Sequence, residues 1–247
     1  MQRMFDNAEK QKNLYRRQKD MERPLTREEL IKKIETKENV SNVDTSEIKD
    51  MSHLFIYDMY EAIYRGKDFN QPLNDWDVSK VENMVCMFYG ATSFNHPLNE
   101  WDVSNVDNML GMFCGATSFN QPLNEWDVSN VVYMESMFCG ATSFNQPLND
   151  WDVSNVKTMR EMFYRAKNFN QSLNEWDVSR VTDMTSMFTN AKNYTYSFKT
   201  WKLKPACGTN DFLKGCNLWS LFNTVEDLPM QDNERIETED KKIWKLL

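Results

Sequence analysis

The 247-residue sequence lacks the features of a secreted or membrane-spanning chain. No apolar stretch approaches the roughly 18 residues that suggest a membrane span. The N-terminus, MQRMFDNAEKQKNLYRRQKD, has neither an apolar core nor a small-residue cleavage site, so we expect no secretory signal peptide. We therefore predict that the protein is intracellular or part of an assembled particle.

Cysteine and histidine are scarce, and their positions indicate no chemistry. The five cysteines are too few for a disulfide scaffold and lack the C-x-x-C spacing of a metal site, so reduced thiols are expected. The two histidines, His53 and His96, have no recognisable Ser, Cys or Asp partner, and no phosphate loop or dinucleotide fingerprint is present. The sequence predicts no catalytic residue, no cofactor and no metal, and hence a protein that is not an enzyme.

Positive charge is also in short supply. The formal net charge is −8, and no basic stripe of the kind that binds nucleic acid is present, so nucleic acid is not an expected partner. The acidic balance fits a chain that repels its own kind or meets a basic partner. Apolar residues make up 40% and charged residues 27%, which is ordinary for a folded domain.

What the sequence does contain is a tandem repeat. Residues 69 to 193 are five copies of a 25-residue unit, and 13 of its 25 columns are identical in all five copies. The unit reads F-N-Q-P-L-N-(D/E)-W-D-V-S-N-V-x-x-M-x-x-M-F-x-G-A-x-x. No single unit has enough apolar surface to fold alone, so we expect neighbouring copies to stack and share one core.

The apolar spacing within a copy predicts a short helix followed by a turn and an extended stretch. Five apolar residues of the first copy fall on one face of such a helix: Val81, Met84, Met87, Phe88 and Ala91. Ser79 is its predicted N-cap, with Glu82 completing a capping box, and Gly90 lets the chain turn. In the Pro- and Asn-rich part, three side chains are expected to point inward: Leu73, Trp76 and Val78.

Degenerate copies are predicted at both ends, as expected where the last copies face water. Residues 43 to 55 follow the second half of the unit, and an eight-residue insertion separates Phe55 from Phe69. Downstream, a set of residues keeps the apolar columns: Trp201, Leu203, Ala206, Phe212, Leu213, Gly215 and Trp219.

The segments outside the repeat complete the predicted domain organisation. Ahead of it, Thr26 and Glu29 form a capping box, and Leu25 and Leu30 a hydrophobic staple, for a helix that could cover the first copy. We predict an N-terminal helical segment and cap over residues 1–38, a repeat solenoid over residues 39–222 and a C-terminal tail over residues 223–247. The predicted fold class is an α/β repeat solenoid.

The repeat unit resembles that of the BspA-type leucine-rich-repeat surface proteins. The same unit occurs as a domain of unknown function in mycoplasma lipoproteins. The likeness is specific over residues 69 to 193 and extends more weakly from Leu25 to about Trp219. It implies a solenoid like that of leucine-rich repeats and, in some members, adhesion to host proteins. This chain departs from the surface members in lacking a signal peptide, a lipid-attachment cysteine and a wall anchor.

Three sets of repeated polar or thiol residues have both structural and functional interpretations. The Asp column (Asp77, Asp102, Asp127, Asp152 and Asp177) is predicted to bond backbone N–H groups of its own turn rather than to form a cation ladder. Binding is possible for the two Asn columns, but a buried structural ladder is the favoured prediction. The columns are Asn70, Asn95, Asn120, Asn145 and Asn170, and Asn74, Asn99, Asn124, Asn149 and Asn174. Cys114 and Cys139 share one column of adjacent copies and could bridge, but a pair of free thiols is the favoured prediction.

The remaining signal is a set of columns that change freely between copies. They indicate either a solvated face or a recognition surface, since solenoids offer extended faces to partners. Residue types that binding hot spots favour lie there: Tyr89, Tyr133, Arg160, Tyr164 and Arg165. The predicted function is therefore a non-enzymatic protein-binding solenoid. A structural or assembly component held by its terminal segments, and an acidic decoy of a nucleic-acid-binding protein, are the alternatives.

Overall fold

The computed structural model describes residues 23–58, 63–198, 200–204 and 206–216. Within these ranges the chain has one α-helix, α1 (Arg27–Glu35), and two short strands, β1 (Tyr57–Asp58) and β2 (Ile63–Tyr64). The predicted segments before residue 23 and after residue 216, including Trp219 and the C-terminal tail, lie outside the described residues. Of the described residues, none belongs to a helix long and apolar enough to cross a membrane.

Helix α1 begins where the sequence predicts it. The Thr26 hydroxyl accepts a hydrogen bond from the Glu29 N–H, and the Glu29 carboxylate accepts one from the Thr26 N–H, so the capping box is confirmed. Leu30 and Ile34 are buried on the side of the helix that meets the repeat. Arg27 fixes the helix there by donating to the Asp50 carbonyl at 3.0 Å and to the carbonyl of Ser52.

The stretch between Phe55 and Phe69, which holds the eight-residue insertion, contains the two short strands. Strands β1 and β2 pair antiparallel, with Tyr57 opposite Tyr64 and Asp58 opposite Ile63. Next to β2, Arg65 donates to the carbonyls of His53 and Leu54 and forms a 2.9 Å ion pair with Glu35 of α1. The insertion is thereby tied to both the helix and the first degenerate copy.

Successive copies lie side by side in register. Each forms one parallel β-bridge with the next, at the positions Asp50–Asn83, Asn83–Asn108, Asn108–Tyr133, Tyr133–Thr158, Thr158–Asp183 and Asp183–Gly208. Next to the bridges, backbone N–H groups of one copy donate to carbonyls of the following copy. In the first copy the N–H groups of Met84, Cys86, Phe88 and Gly90 do so, at 2.7–2.9 Å.

The short helix predicted in each copy is wrong. Residues 82–91 instead form a run of tight turns, in which the N–H groups of Met87, Tyr89 and Ala91 donate to carbonyls three residues back. Cys86 and Gly90 have φ of 53° and 69°, and their equivalents in the other copies are also positive. A right-handed helix cannot contain such residues. Ser79 is likewise no helix cap, because its N–H and hydroxyl both donate to Asp77.

The inward positions are as predicted, even though the local structure is not. Leu73, Trp76 and Val78 are buried, as are the five residues assigned to the helix face. Phenylalanine rings stack from copy to copy, for example Phe88 on Phe113 at a centroid distance of 5.4 Å. Each Trp Nε1 donates to a carbonyl in the preceding copy, as Trp126 does to Leu98 at 2.9 Å. One continuous core therefore runs through all the copies.

Candidate functional site

Many of the columns that differ between copies fall in the same segment of each copy, and we call the outward-facing residues of these segments the variable strip. The segments are 82–90, 107–115, 132–140, 157–165 and 182–190. In the first of these segments the N–H groups of residues 84 to 90 all donate within the copy or to the next one, with the Asn83 side chain accepting from Val85. A partner would therefore meet side chains there, not open backbone donors.

Three of the five candidate binding residues lie in the fourth copy, and two of them contact each other. The Arg165 guanidinium lies over the Tyr164 ring, 5.0 Å from its centroid. Arg160 forms a 3.3 Å ion pair with the neighbouring Glu161, and both arginines are exposed. Such an exposed ion pair contributes under about 1 kcal/mol, so Arg160 can exchange Glu161 for another anion at little cost.

The other two candidate residues lie further along the strip. Tyr133 occupies the bridge column between Asn108 and Thr158, and 40% of its surface is exposed. Tyr89 is half-buried in the first copy, three copies away from Tyr164 in the same column. The five residues therefore do not form one compact site; they are spread over three of the five copies.

A row of thiols fills the strip between Tyr89 and Tyr164, which the sequence indicated only in part. Cys114 and Cys139 follow Tyr89 in its column, and all five cysteines of the chain are reduced. Cys86 belongs to another column, yet a Cβ added to Gly111 would lie 3.0 Å from the Cys86 Sγ and 3.9 Å from the Cys114 Cβ. Gly111 therefore lies between the two thiols, and reading down single columns missed this arrangement because it joins two columns and two copies.

The Asp column is structural, as predicted. In each regular copy the Asp Oδ1 accepts the N–H of the serine two residues later, at 3.0–3.1 Å. Hydrogen bonds from the serine hydroxyl and N–H lower the pKa of Asp77, Asp127 and Asp177. Among the described residues, no cluster of three or more His, Cys, Asp or Glu side chains could hold a metal ion.

The first Asn column forms a ladder between copies as predicted, but the expectation that it is buried is wrong, since Asn70 and Asn95 are exposed. The Asn95 Oδ1 accepts the N–H of Asn120 at 2.9 Å, and Asn120 and Asn145 repeat the bond in the following copies. Gln121 adds a donor to the Asn95 carbonyl at 3.1 Å, and His96 places Nε2 3.1 Å from the carbonyl of Asn70 in the equivalent position. These polar columns are occupied with holding the copies together, which leaves the variable strip as the candidate site.

Comparison with known proteins places the chain in a family. Residues 19–133, 92–201 and 121–223 each match one family model, and together the matches cover regular and degenerate copies alike. No curated protein and no solved structure matches the sequence. The match confirms the likeness to the mycoplasma domain of unknown function. The chain belongs to the family described as Mycoplasma protein of unknown function, DUF285.

Proposed function

We propose that the stacked copies form a repeat solenoid like that of leucine-rich repeats, and that the variable strip makes it a non-enzymatic protein-binding module. The observation that carries the proposal is that the variable strip changes from copy to copy while the Asp and Asn columns do not. The Asp and Asn columns are constant and are engaged in bonds within and between copies. The side chains of the strip differ from copy to copy, although its backbone hydrogen bonds repeat as regularly as those of the other segments. The BspA-type likeness, with adhesion in some members, supports the same function.

The chemistry of the strip suggests what kind of protein it binds. The first three copies present half-buried apolar side chains, among them Val85, Leu110 and Val132, and end at the exposed ring of Tyr133. The fourth copy presents Arg160 and Arg165. Tyrosine and arginine are the side chains that most often carry binding energy in protein interfaces. The strip therefore suits a partner surface that combines apolar side chains with a carboxylate.

This arrangement argues against an acidic decoy of a nucleic-acid-binding protein. A decoy needs a continuous acidic surface, whereas the fourth copy interrupts the strip with Lys157, Arg160 and Arg165, all exposed. Salt provides the discriminating measurement. Binding to a decoy falls steeply with salt because many ion pairs must form, whereas binding through apolar and aromatic side chains changes little.

The proposal is tested by capture followed by a direct affinity measurement. Full-length protein is immobilised, a native cell extract is passed over it, and the retained protein is identified by mass spectrometry and purified. We expect Tyr133→Ser combined with Arg160→Ser and Tyr164→Ser to weaken binding of that protein at least 100-fold, since hot-spot losses are about 2 kcal/mol or more each. The matched control changes exposed residues outside the strip: Asp75→Ser, Asp150→Ser and Lys192→Ser.

Both variants should keep the wild-type circular dichroism spectrum and thermal midpoint. Equal losses in the strip variant and the control would contradict the proposal. Binding lost only when the terminal segments are removed would favour the assembly component instead.

A further inference from the structure

Cys114 and Cys139 are held next to each other by the register of the second and third copies. The Gly115 N–H donates to the Cys139 carbonyl at 2.7 Å, and the Gly90 N–H makes the same bond to Cys114. One residue later the backbones approach closely, because a Cβ on Gly140 would lie 3.8 Å from the Gly115 Cα. Paired segments of this kind are about 4.8 Å apart, inside the Cα separation of about 4.4–6.8 Å that a disulfide requires.

The two thiols also lie close enough to affect each other, because the register places them in one column of adjacent copies. The interaction between the thiols raises the pKa of Cys114 and lowers the pKa of Cys139. On Cys139, burial and Glu161 oppose this lowering and Arg165 supports it. Both side chains are partly exposed. A thiolate that is reachable from solvent, with a second thiol beside it, is the arrangement that disulfide exchange needs.

Two of the other cysteines, Cys207 and Cys216, differ. Cys216 is buried, its thiol donates to the carbonyls of Phe188 and Ala191, and burial raises its pKa to about 12. Burial also raises the pKa of Cys207. Neither has a thiol neighbour of its own column in the adjacent copy.

We propose that Cys114 and Cys139 form a dithiol site that a low-molecular-weight disulfide, such as oxidised glutathione, converts reversibly into a disulfide. The Cys139 thiolate attacks one glutathione sulfur, which forms a mixed disulfide and releases the first glutathione thiolate. Cys114 then loses its proton and attacks the Cys139 sulfur, which releases the second. The two cysteines give up two electrons and two protons, and the oxidised glutathione becomes two molecules of glutathione.

The bridge would lie in the middle of the variable strip and would join the second copy to the third. It closes a loop of one repeat length, 25 residues. Closing such a loop restricts the unfolded chain, so we expect the oxidised protein to melt about 10 °C higher than the reduced protein. The site is defined by its chemistry and does not depend on the identity of any binding partner.

The test uses purified full-length protein in buffers with increasing ratios of oxidised to reduced glutathione. Non-reducing peptide mapping by mass spectrometry and a count of free thiols give the readout. We expect a Cys114–Cys139 linked peptide, the loss of two thiols and full reversal by dithiothreitol. Tyr, Thr and Cys all occupy this column, so serine variants should fold.

Three variants separate the steps. In Cys114→Ser we expect Cys139 to accumulate as the mixed disulfide with glutathione, and in Cys139→Ser we expect the bridge to be lost and Cys114 to react at least 10-fold more slowly. Cys207→Ser is the matched control and should bridge like the wild type. The proposal is overturned by a bridge between Cys86 and Cys114 instead, by glutathione addition to Cys207 at the same rate as to Cys139, or by no reaction with oxidised glutathione alone.

Discussion

At the scale of single residues, the tryptophan of each copy both fills the core and completes a backbone hydrogen bond. Trp126 is 3% exposed, stacks on Trp101 at a centroid distance of 6.3 Å and contacts Phe113 at 6.4 Å. Its Nε1 donates to the Leu98 carbonyl, which lies in the core where water cannot replace the donor.

Trp126→Ala is therefore expected to lower the free energy of unfolding by roughly 3 to 5 kcal/mol, the range for large aromatic deletions in cores. Trp126→Phe keeps most of the ring and removes the Nε1 donor. The Leu98 carbonyl still accepts the Trp101 N–H at 3.2 Å, so the loss of one hydrogen bond should cost about 0.5 to 1.5 kcal/mol. Urea unfolding measures both. A loss below about 0.5 kcal/mol in Trp126→Ala, as for a surface site, would contradict the stacked core.

Gly66 is the residue least able to accept a side chain. A Cβ there would lie 1.6 Å from the Phe55 carbonyl oxygen, which is backbone and cannot swing away. We expect Gly66→Ala to cost about 3 kcal/mol or more. Gly140→Ala is the matched control, because its φ of 67° costs about 1–2 kcal/mol but its nearest contact is 3.8 Å. Thermal melts of the two proteins should differ clearly, and equal midpoints would show that the neighbouring backbone shifts to accommodate the methyl group.

At the scale of the local element, the segment from Val81 to Ala91 shows what a sequence pattern can and cannot specify. The spacing of Met84, Met87 and Phe88 correctly predicted which side chains are buried. The same spacing also fits one face of a helix, but the segment is not a helix. The two cannot be distinguished by spacing, because a run of three-residue turns returns side chains to the same side at nearly the same interval. The two conformations differ in where the backbone N–H groups find acceptors. In this segment, every second backbone N–H group donates to a carbonyl of the next copy.

The Asp turn at the start of that element gives the protein a predictable response to acid. Because the folded-state pKa of Asp127 is lowered, its contribution to stability is full above the unfolded value of about 3.9 and is lost as pH falls through the lower folded value. The same holds for Asp77 and Asp177. We expect the urea midpoint to drop as the pH is lowered from about 5 to 3.

Replacing these three aspartates with asparagine should flatten that drop, because asparagine keeps an oxygen acceptor but does not titrate. Asp150→Asn, an exposed carboxylate outside the turn, is the control and should leave the pH profile unchanged. An equally steep profile in the triple variant would show that other carboxylates dominate the acid response.

At the scale of the whole molecule, the open end of the stack before the first degenerate copy is covered by α1 and the chain that follows it. Leu30 and Val40 are fully buried, and the Val40 carbonyl accepts the Nε1 of Trp76 at 2.8 Å. Helix α1 and the chain after it therefore supply apolar surface and a carbonyl acceptor for the Trp Nε1. Further along the stack, each copy receives both from the copy before it. Stability of the stack should therefore depend on this segment more than on residues before it.

Two truncations test this dependence. Deleting residues 1–38 removes α1 and should cause aggregation or partial unfolding, because the apolar surface under Leu30 and Ile34 becomes exposed. Deleting residues 1–21, whose apolar residues are scattered among charges, should leave the melting temperature within a few degrees. Differential scanning calorimetry and light scattering give the readouts. Unfolding by the shorter deletion would move the boundary of the cap towards the N-terminus.

The sequence by itself determined the period, the buried columns, the capping box of α1 and the structural role of the Asp column. Each of these depends on side chains within one copy or at one repeated position. Only the tertiary structure decided that the copies contain turns, that β1 and β2 pair antiparallel, and that Gly111 lies beside both Cys86 and Cys114. The physical reason is the same in each case: the deciding hydrogen bonds and contacts join residues of different copies or elements, and a column pattern does not specify them.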